Sequence, residues 1–163
     1  MPIATIVQPE VLNVTEAIRL RKFDDQFDFA FSWYQDPELV YLVDGVKRPY
    51  AWETLSNMYH YLDKHGELYF IEVLEGNQWK RIGDVCLCEA DLPIVIGDPA
   101  YRGKGVGKKV LAALIERGKS LGYPAIRVGE IYDWNTASRK CFESLGFRVC
   151  AKTPKGNSYV LTL

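Results

Sequence analysis

The run Tyr101-Arg102-Gly103-Lys104-Gly105-Val106-Gly107-Lys108-Lys109 has the residue types and spacing to hold an anion. Glycine stands at 103, 105 and 107, interleaved with cations. Upstream, Ile94-Val95-Ile96 reads as a short buried strand, and Gly97-Asp98-Pro99 turns the chain. Downstream, Val110, Leu111, Leu114 and Ile115 form the apolar stripe of a helix. A strand, a glycine-rich turn and a helix start together make a phosphate cradle. Glycine lets the backbone approach closely, and the free N–H groups of the first helical turn point at the ligand.

Spacing narrows the choice of ligand. A Walker loop, G-x-x-x-x-G-K-S/T, fails because the residue five after Gly103 is Lys108. The dinucleotide fingerprint G-x-G-x-x-G fails because Lys108 and Val110 stand where the last glycine should be. What remains is Arg102-x-x-Gly105-x-Gly107. This resembles the pyrophosphate signature of the GNAT superfamily of acyl-CoA-dependent N-acyltransferases, Arg/Gln-x-x-Gly-x-Gly/Ala. A second match follows in the expected order. Asn135-x-x-Ser138, Phe142 and Leu145-Gly146-Phe147 are similar to that family's Asn-x-x-Ala, Tyr and Leu-Gly-Phe. The resemblance is specific over residues 92–153 and architectural before them.

The resemblance implies acetyl-CoA as cosubstrate and no metal. It assigns the pyrophosphate to Arg102, Gly103, Lys104, Gly105, Val106, Gly107 and Lys108. Main-chain groups of Ile94, Val95 and Ile96 would serve the pantetheine arm and polarise the thioester, and Asn135 and Ser138 would lie beside that arm. Asn135 also suits a helix cap. A primary amine with a pKa near 10 is mostly protonated at neutral pH, so a carboxylate must take its proton. In ribosomal-protein-type members a glutamate begins the strand equivalent to Ile94–Ile96. Asp91 has that position here, with Glu89 as the alternative. One departure stands out: many members carry a tyrosine that protonates the leaving thiolate, and this chain has Phe142. Tyr132, another residue or water must supply that proton.

The elements that must position these groups can be traced along the chain. Ala17–Phe23 alternates as a strand, with an extended arm over Ile3–Val14. Asp24-Asp25 caps a helix carrying Phe27, Ala30, Phe31 and Tyr34, and Asp36-Pro37 ends it. A loop holding Tyr41, Leu42 and Val43 runs to Pro49, followed by a helix over Ala51–Lys64. Leu68–Leu74 and Arg81–Cys88 form a hairpin about Glu75-Gly76-Asn77. Glu89-Ala90-Asp91 turns into the strand at Leu92. The glycine loop and its helix are followed by a strand at Ala125–Ile131, a helix over Asn135–Leu145 and a closing hairpin at Thr153–Gly156. The order β-α-α-β-β-β-α-β-α-β-β predicts an α+β GNAT fold: a mixed, mostly antiparallel central sheet with helices on both faces. One domain spans 1–163, an acceptor-side half over 1–91 and an acetyl-CoA-binding half over 92–163.

Composition fits one packed domain: 48% of the residues are hydrophobic and the net charge is −1. No apolar run approaches the ~20 residues that span a bilayer. The N-terminus, Met1-Pro2-Ile3-Ala4, lacks the basic segment and long apolar stretch of a secretion signal. Four cysteines without a C-x-x-C pair, and two histidines, make no zinc pattern. A cytoplasmic protein with reduced cysteines is expected.

Charge is divided along the chain. Residues 1–100 carry 17 acidic and 8 basic side chains, and residues 101–163 carry 4 and 12. A basic half suits an anionic cofactor and an acidic half a cationic acceptor, and the acidic half argues against nucleic acid. The expected partner is a small aminoglycoside-like or polyamine-like amine. Trp33, Tyr41 and Tyr50 would line its site, with Glu38, Asp44 and Glu53 supplying charge. Neutral hydrophobic amines would be poor substrates. Two other readings stay open: acetylation of a protein N-terminus, and a non-catalytic acyl-CoA sensor, for which Phe142 is the motive. Family members are often homodimers.

Overall fold

The computed structural model describes residues 6–163. The start of the expected arm at Ile3 and the N-terminal Met1–Ala4 lie outside the described residues. The chain runs β1 (Val11–Asn13), β2 (Ile18–Lys22), α1 (Asp28–Phe31), a 3-10 turn (Trp33–Gln35), α2 (Pro37–Asp44), α3 (Trp52–His65), β3 (Glu67–Glu75) and β4 (Gln78–Leu87). It continues through β5 (Ile94–Ile96), α4 (Val106–Ser120), β6 (Ala125–Tyr132), α5 (Thr136–Ser144), β7 (Arg148–Lys152) and β8 (Gly156–Thr162). The strands form two sheets, in the orders β1-β2-β3-β4-β5 and β6-β8-β7. Every pairing within them is antiparallel. The α+β order read from the sequence therefore holds, with the sheet divided between β5 and β6.

Alternation along the strands builds a core on each face. In β3, Tyr69 and Ile71 join α4, α5 and the second sheet, while Leu68 and Phe70 join the aromatic packing of α1–α3. Helices therefore cover both faces, as the period-2 pattern of a two-sided strand requires.

Two expectations in the first half need correction. The helix expected from Asp24-Asp25 is only a single turn, α1, followed by the 3-10 turn. Asp25 sits at φ 62°, outside the helical region. Arg81 draws the Asp24 carboxylate away at 2.8 Å. The loop expected after Asp36-Pro37 is instead helix α2. Asp36 caps it by accepting from the Glu38 N–H, Pro37 takes the first turn, and Gly45 closes it in the left-handed region. The pair that stops one helix starts the next.

Beneath α3, Tyr34 and Tyr59 each donate a 2.7 Å hydrogen bond to Oδ2 of Asp84 on β4. Asp84 is 3% exposed. Burial pushes its carboxyl up to about 6, against the opposing effect of the two hydroxyl donors. A raised carboxyl pKa means that the folded protein holds this proton more tightly than the unfolded chain. The contribution to stability is complete below pH ~4 and is lost as pH rises through the folded value. Asp84→Asn keeps an acceptor oxygen and removes the titration. Urea unfolding across pH 4–8 should show the variant gaining about 3 kcal/mol on the parent as pH rises. A stability difference that is flat with pH would show that Asp84 titrates as an ordinary carboxyl.

Candidate active site

The glycine loop is built as its spacing requires. Gly105 is the N-cap of α4 at φ 80° and ψ 6°, with no side chain to fill the cap. A Cβ at Gly105 would meet nothing within 4 Å, so glycine is needed here for its backbone conformation. The first turn, Val106–Lys108, keeps N–H groups without a carbonyl one turn back; the first such bond runs from Lys109 N to Gly105 O at 3.2 Å. Arg102 lines the same opening, and two of its guanidinium donors are engaged within the fold. Its Nε donates to Ile96 O at 2.8 Å and its Nη2 to Gly97 O at 3.1 Å, fastening the loop to the end of β5.

The loop opens into a cavity of 620 Å³. Its floor is β5 and the approach from Asp91, and one wall is β6 through Val128, Glu130 and Ile131. A second wall is α5 through Asn135, Ala137, Ser138, Lys140, Cys141 and Phe142. Leu39, Leu42 and Val43 of α2 complete the lining. β5 pairs with β4 along one edge, Gly83 with Ile96 and Val85 with Ile94. Its other edge faces the cavity rather than β6. Main-chain groups on such an edge need a partner, and a ligand can be that partner.

Asp91 stands at the root of this split. Its Oδ1 accepts from Leu92 N at 3.0 Å and from Gly129 N at 3.1 Å, tying the approach to β5 onto β6. Neither bond uses Oδ2, and the side chain lines the cavity. Glu89 is exposed and does not line it. Ile94, Val95, Ile96, Arg102, Gly103, Gly105, Val106, Gly107, Lys108, Asn135 and Ser138 all come together around it, while Lys104 lies outside the lining. Asn135 caps α5 through its Oδ1 to Ser138 N at 3.2 Å, and its Nδ2 reaches Leu42 O of α2 at 3.5 Å.

The residues expected to line an acceptor site lie elsewhere. Trp33 packs behind the loop, where a Cβ on Gly97 would fall 2.1 Å from its ring. Tyr50 is buried, stacked on Tyr34 and bonded through its hydroxyl to Asp44 Oδ2 at 2.7 Å. Glu38 pairs with Lys47 at 3.0 Å, and Glu53 is exposed in the first turn of α3. Tyr41 stacks on Trp134 at 4.7 Å, and Trp134 on Tyr132 at 4.8 Å. Trp134 Nε1 also donates to Tyr41 O at 3.3 Å. This stack fastens α2 to the turn between β6 and α5. It also holds Tyr132 beside Gly45 and outside the cavity lining. Phe142 is buried against Phe147 and presents no hydroxyl. Next to it, Cys141 and Ser138 line the cavity with protons to give; burial pushes the Cys141 thiol up, which keeps it protonated.

Sequence reasoning missed Glu130, Lys140, Cys141 and the α2 wall. Lys140 and Cys141 had a usable signal, since they sit on α5 within a turn of Ser138 and Ala137. Glu130 had a weak one: it stands two residues after Val128, but the register of β6 against β8 shifts between Val128 and Ile131, so alternation alone does not fix its face.

Residues 11–147 match the Acetyltransferase (GNAT) family. The chain belongs to that family. Over 57 residues it is 40% identical to the L-methionine sulfoximine/L-methionine sulfone acetyltransferase of Salmonella typhimurium, which is 35% of this chain and 33% of that protein. The match thus spans a third of that relative's length. Among solved structures, a domain from Methanocaldococcus jannaschii superposes with TM-score 0.80 at 24% identity, covering 90% of this chain and 98% of that one. The RimL ribosomal L7/L12 alpha-N-protein acetyltransferase in complex with coenzyme A gives 0.72 at 15% identity over 94% and 98%. The aminoglycoside acetyltransferase AAC(6')-Ib with coenzyme A gives 0.71 at 19% identity over 90% and 95%. At these identities the structures share the fold.

The cap geometry generates a direct test. In Gly105→Val a β-branched residue must adopt φ near 80°, a strain of about 1–3 kcal/mol placed on the loop itself. Calorimetry should show coenzyme A affinity falling about tenfold or more in the folded variant. Undiminished affinity would remove the loop from the cofactor site.

Proposed function

We propose that this protein acetylates the primary amine of a small acceptor, with acetyl-CoA held between β5, β6 and the start of α4. The observation that carries this reading is the unpaired edge of β5 facing the same cavity as the uncapped first turn of α4. The two surfaces offer main-chain donors to the two parts of one elongated ligand, an amide-bearing arm and a pyrophosphate. Lys108 and Lys140 add positive charge to the lining, while Arg102 shapes the loop. When bound, acetyl-CoA supplies an acetyl group activated as a thioester.

The chain's own residues supply the rest. A main-chain N–H on β5, fixed by the pairing to β4, can donate to oxygen as negative charge develops there. Asp91 takes the proton of the amine, directly or through water. Its Oδ1 is held by two N–H groups, so the carboxylate is oriented before any acceptor arrives. Cys141 or Ser138, each lining the cavity near Phe142 at the family's tyrosine position, has a proton available for the departing thiolate. A small acceptor is supported by the α2 wall, which the Tyr41–Trp134 stack fixes across one side of the cavity. The local likeness to an acetyltransferase of methionine derivatives points the same way.

The test is thiol release from acetyl-CoA with a panel of primary amines. Amine-dependent release is expected. Tight coenzyme A binding with no release for any amine would favour the sensor reading. Asp91→Asn separates base from clamp, because Asn Oδ1 can accept the same two N–H bonds. Its turnover should fall by about 10²-fold, with coenzyme A affinity and folding close to the parent. An unaltered rate and pH profile would take the base role from Asp91.

A further inference from the structure

Two carboxylates line the cavity among the described residues: Asp91 and Glu130. Glu130 comes from the half of the chain that is otherwise basic, and nothing in the cofactor reading uses it. Its position follows from an irregularity in β6. Val128 pairs with Tyr159 and Ile131 with Asn157, so Gly129 and Glu130 together oppose Ser158. Such bulges re-aim side chains beside active sites. Both bulge residues are pinned: Gly129 N–H donates to Asp91 Oδ1 at 3.1 Å, and Glu130 Oε2 accepts from Lys155 N at 3.2 Å. The second bond ties Glu130 to the β7–β8 turn and leaves Oε1 uncommitted. The cations of the lining, Arg102, Lys108 and Lys140, belong to the loop, α4 and α5. A positive group entering the cavity finds its opposite charge at Asp91 and Glu130.

The remaining wall is apolar. Leu39, Leu42 and Val43 recur on one face of α2, and Leu42 is 39% exposed. By contrast, Glu38 and Asp44 are engaged with Lys47 and Tyr50. We infer that Glu130 determines acceptor specificity: it takes the ammonium of an acceptor whose adjoining group is apolar and packs on Leu42 and its neighbours. The acceptor class is thus a monoamine with a hydrophobic arm rather than a polycation. This rests on the acetyltransferase reading above. It reverses the expectation from net charge, because the acids that matter are those facing the cavity, not those that are most numerous.

The probes are n-hexylamine, ethylamine and spermidine, with acetyl-CoA saturating. The parent should prefer n-hexylamine. Glu130→Gln keeps an oxygen for the Lys155 N–H and removes the charge. Its KM for n-hexylamine should rise about tenfold, with kcat within about threefold of the parent and coenzyme A affinity unchanged. Glu130→Asp should recover part of the loss, which a purely structural role would not allow. Leu42→Ser should reduce the preference for n-hexylamine over ethylamine several-fold. Calorimetric binding of n-hexylamine to the coenzyme A-saturated protein reads the same site without turnover. It therefore separates failure of this inference from failure of the catalytic reading. An unchanged KM and binding constant in Glu130→Gln, or a parent preference for spermidine, would overturn the proposal.

Discussion

Pairing between strands stops at β5, and the rest of the site depends on that interruption. A three-residue strand held to β4 by one edge leaves its other edge without a protein partner. The cost of unsatisfied main-chain groups can be met by water or by a ligand lying along the strand. The split is kept from closing or drifting by a single side chain. Asp91 Oδ1 gathers one N–H from each side of the root, so the two sheets meet at a carboxylate instead of a ladder. The same atom group that anchors the cleft thereby presents an oxygen into it.

Around this cleft, charged and aromatic groups are often committed to holding shape. Arg102 has the fork geometry suited to phosphate, yet both of its recorded bonds go to carbonyls of its own loop. Lys108 and Lys140, point charges on flexible stems, line the cavity beside it. Tyr41, Trp134 and Tyr132 stack into one block between α2 and the end of β6. Tyr34 and Tyr59 hold the layer of α1–α3 to the sheet through Asp84. The groups free to meet ligands are those left over from this framework.

What the sequence revealed and what it concealed follows from the range of the forces involved. The glycine loop was legible because a left-handed N-cap at Gly105 and an uncapped helix start are local demands that leave a spacing in the chain. The second half followed, since Gly122 and Gly146 end their elements at positive φ. α2 was hidden because Asp36-Pro37 obeys the rules for a helix end and a helix start alike. Trp33, Tyr41 and Tyr50 were placed near the acceptor by neighbourhood in sequence. Their actual partners are Gly97, Trp134 and Tyr34, and only contact in space could show this. Glu130 was concealed for a related reason. A bulge depends on the register against β8, and one extra residue in β6 leaves little trace beyond Gly129.

The cavity walls are joined across long stretches of chain: Tyr41 to Trp134 and Leu42 to Asn135, each 93 residues apart. During synthesis, the first five strands and the glycine loop are made before β6 and α5. A nascent chain of that length holds all the strands of the first sheet, β1 through β5, but it has no cleft. The pocket is therefore complete only when the last quarter of the chain, from β6 onward, is in place and Trp134 stacks on Tyr41. A ligand that spans both walls binds only the finished molecule, so it draws the folding equilibrium toward completion. Cofactor supply in the cell would then act on the yield of mature protein as well as on its rate of turnover.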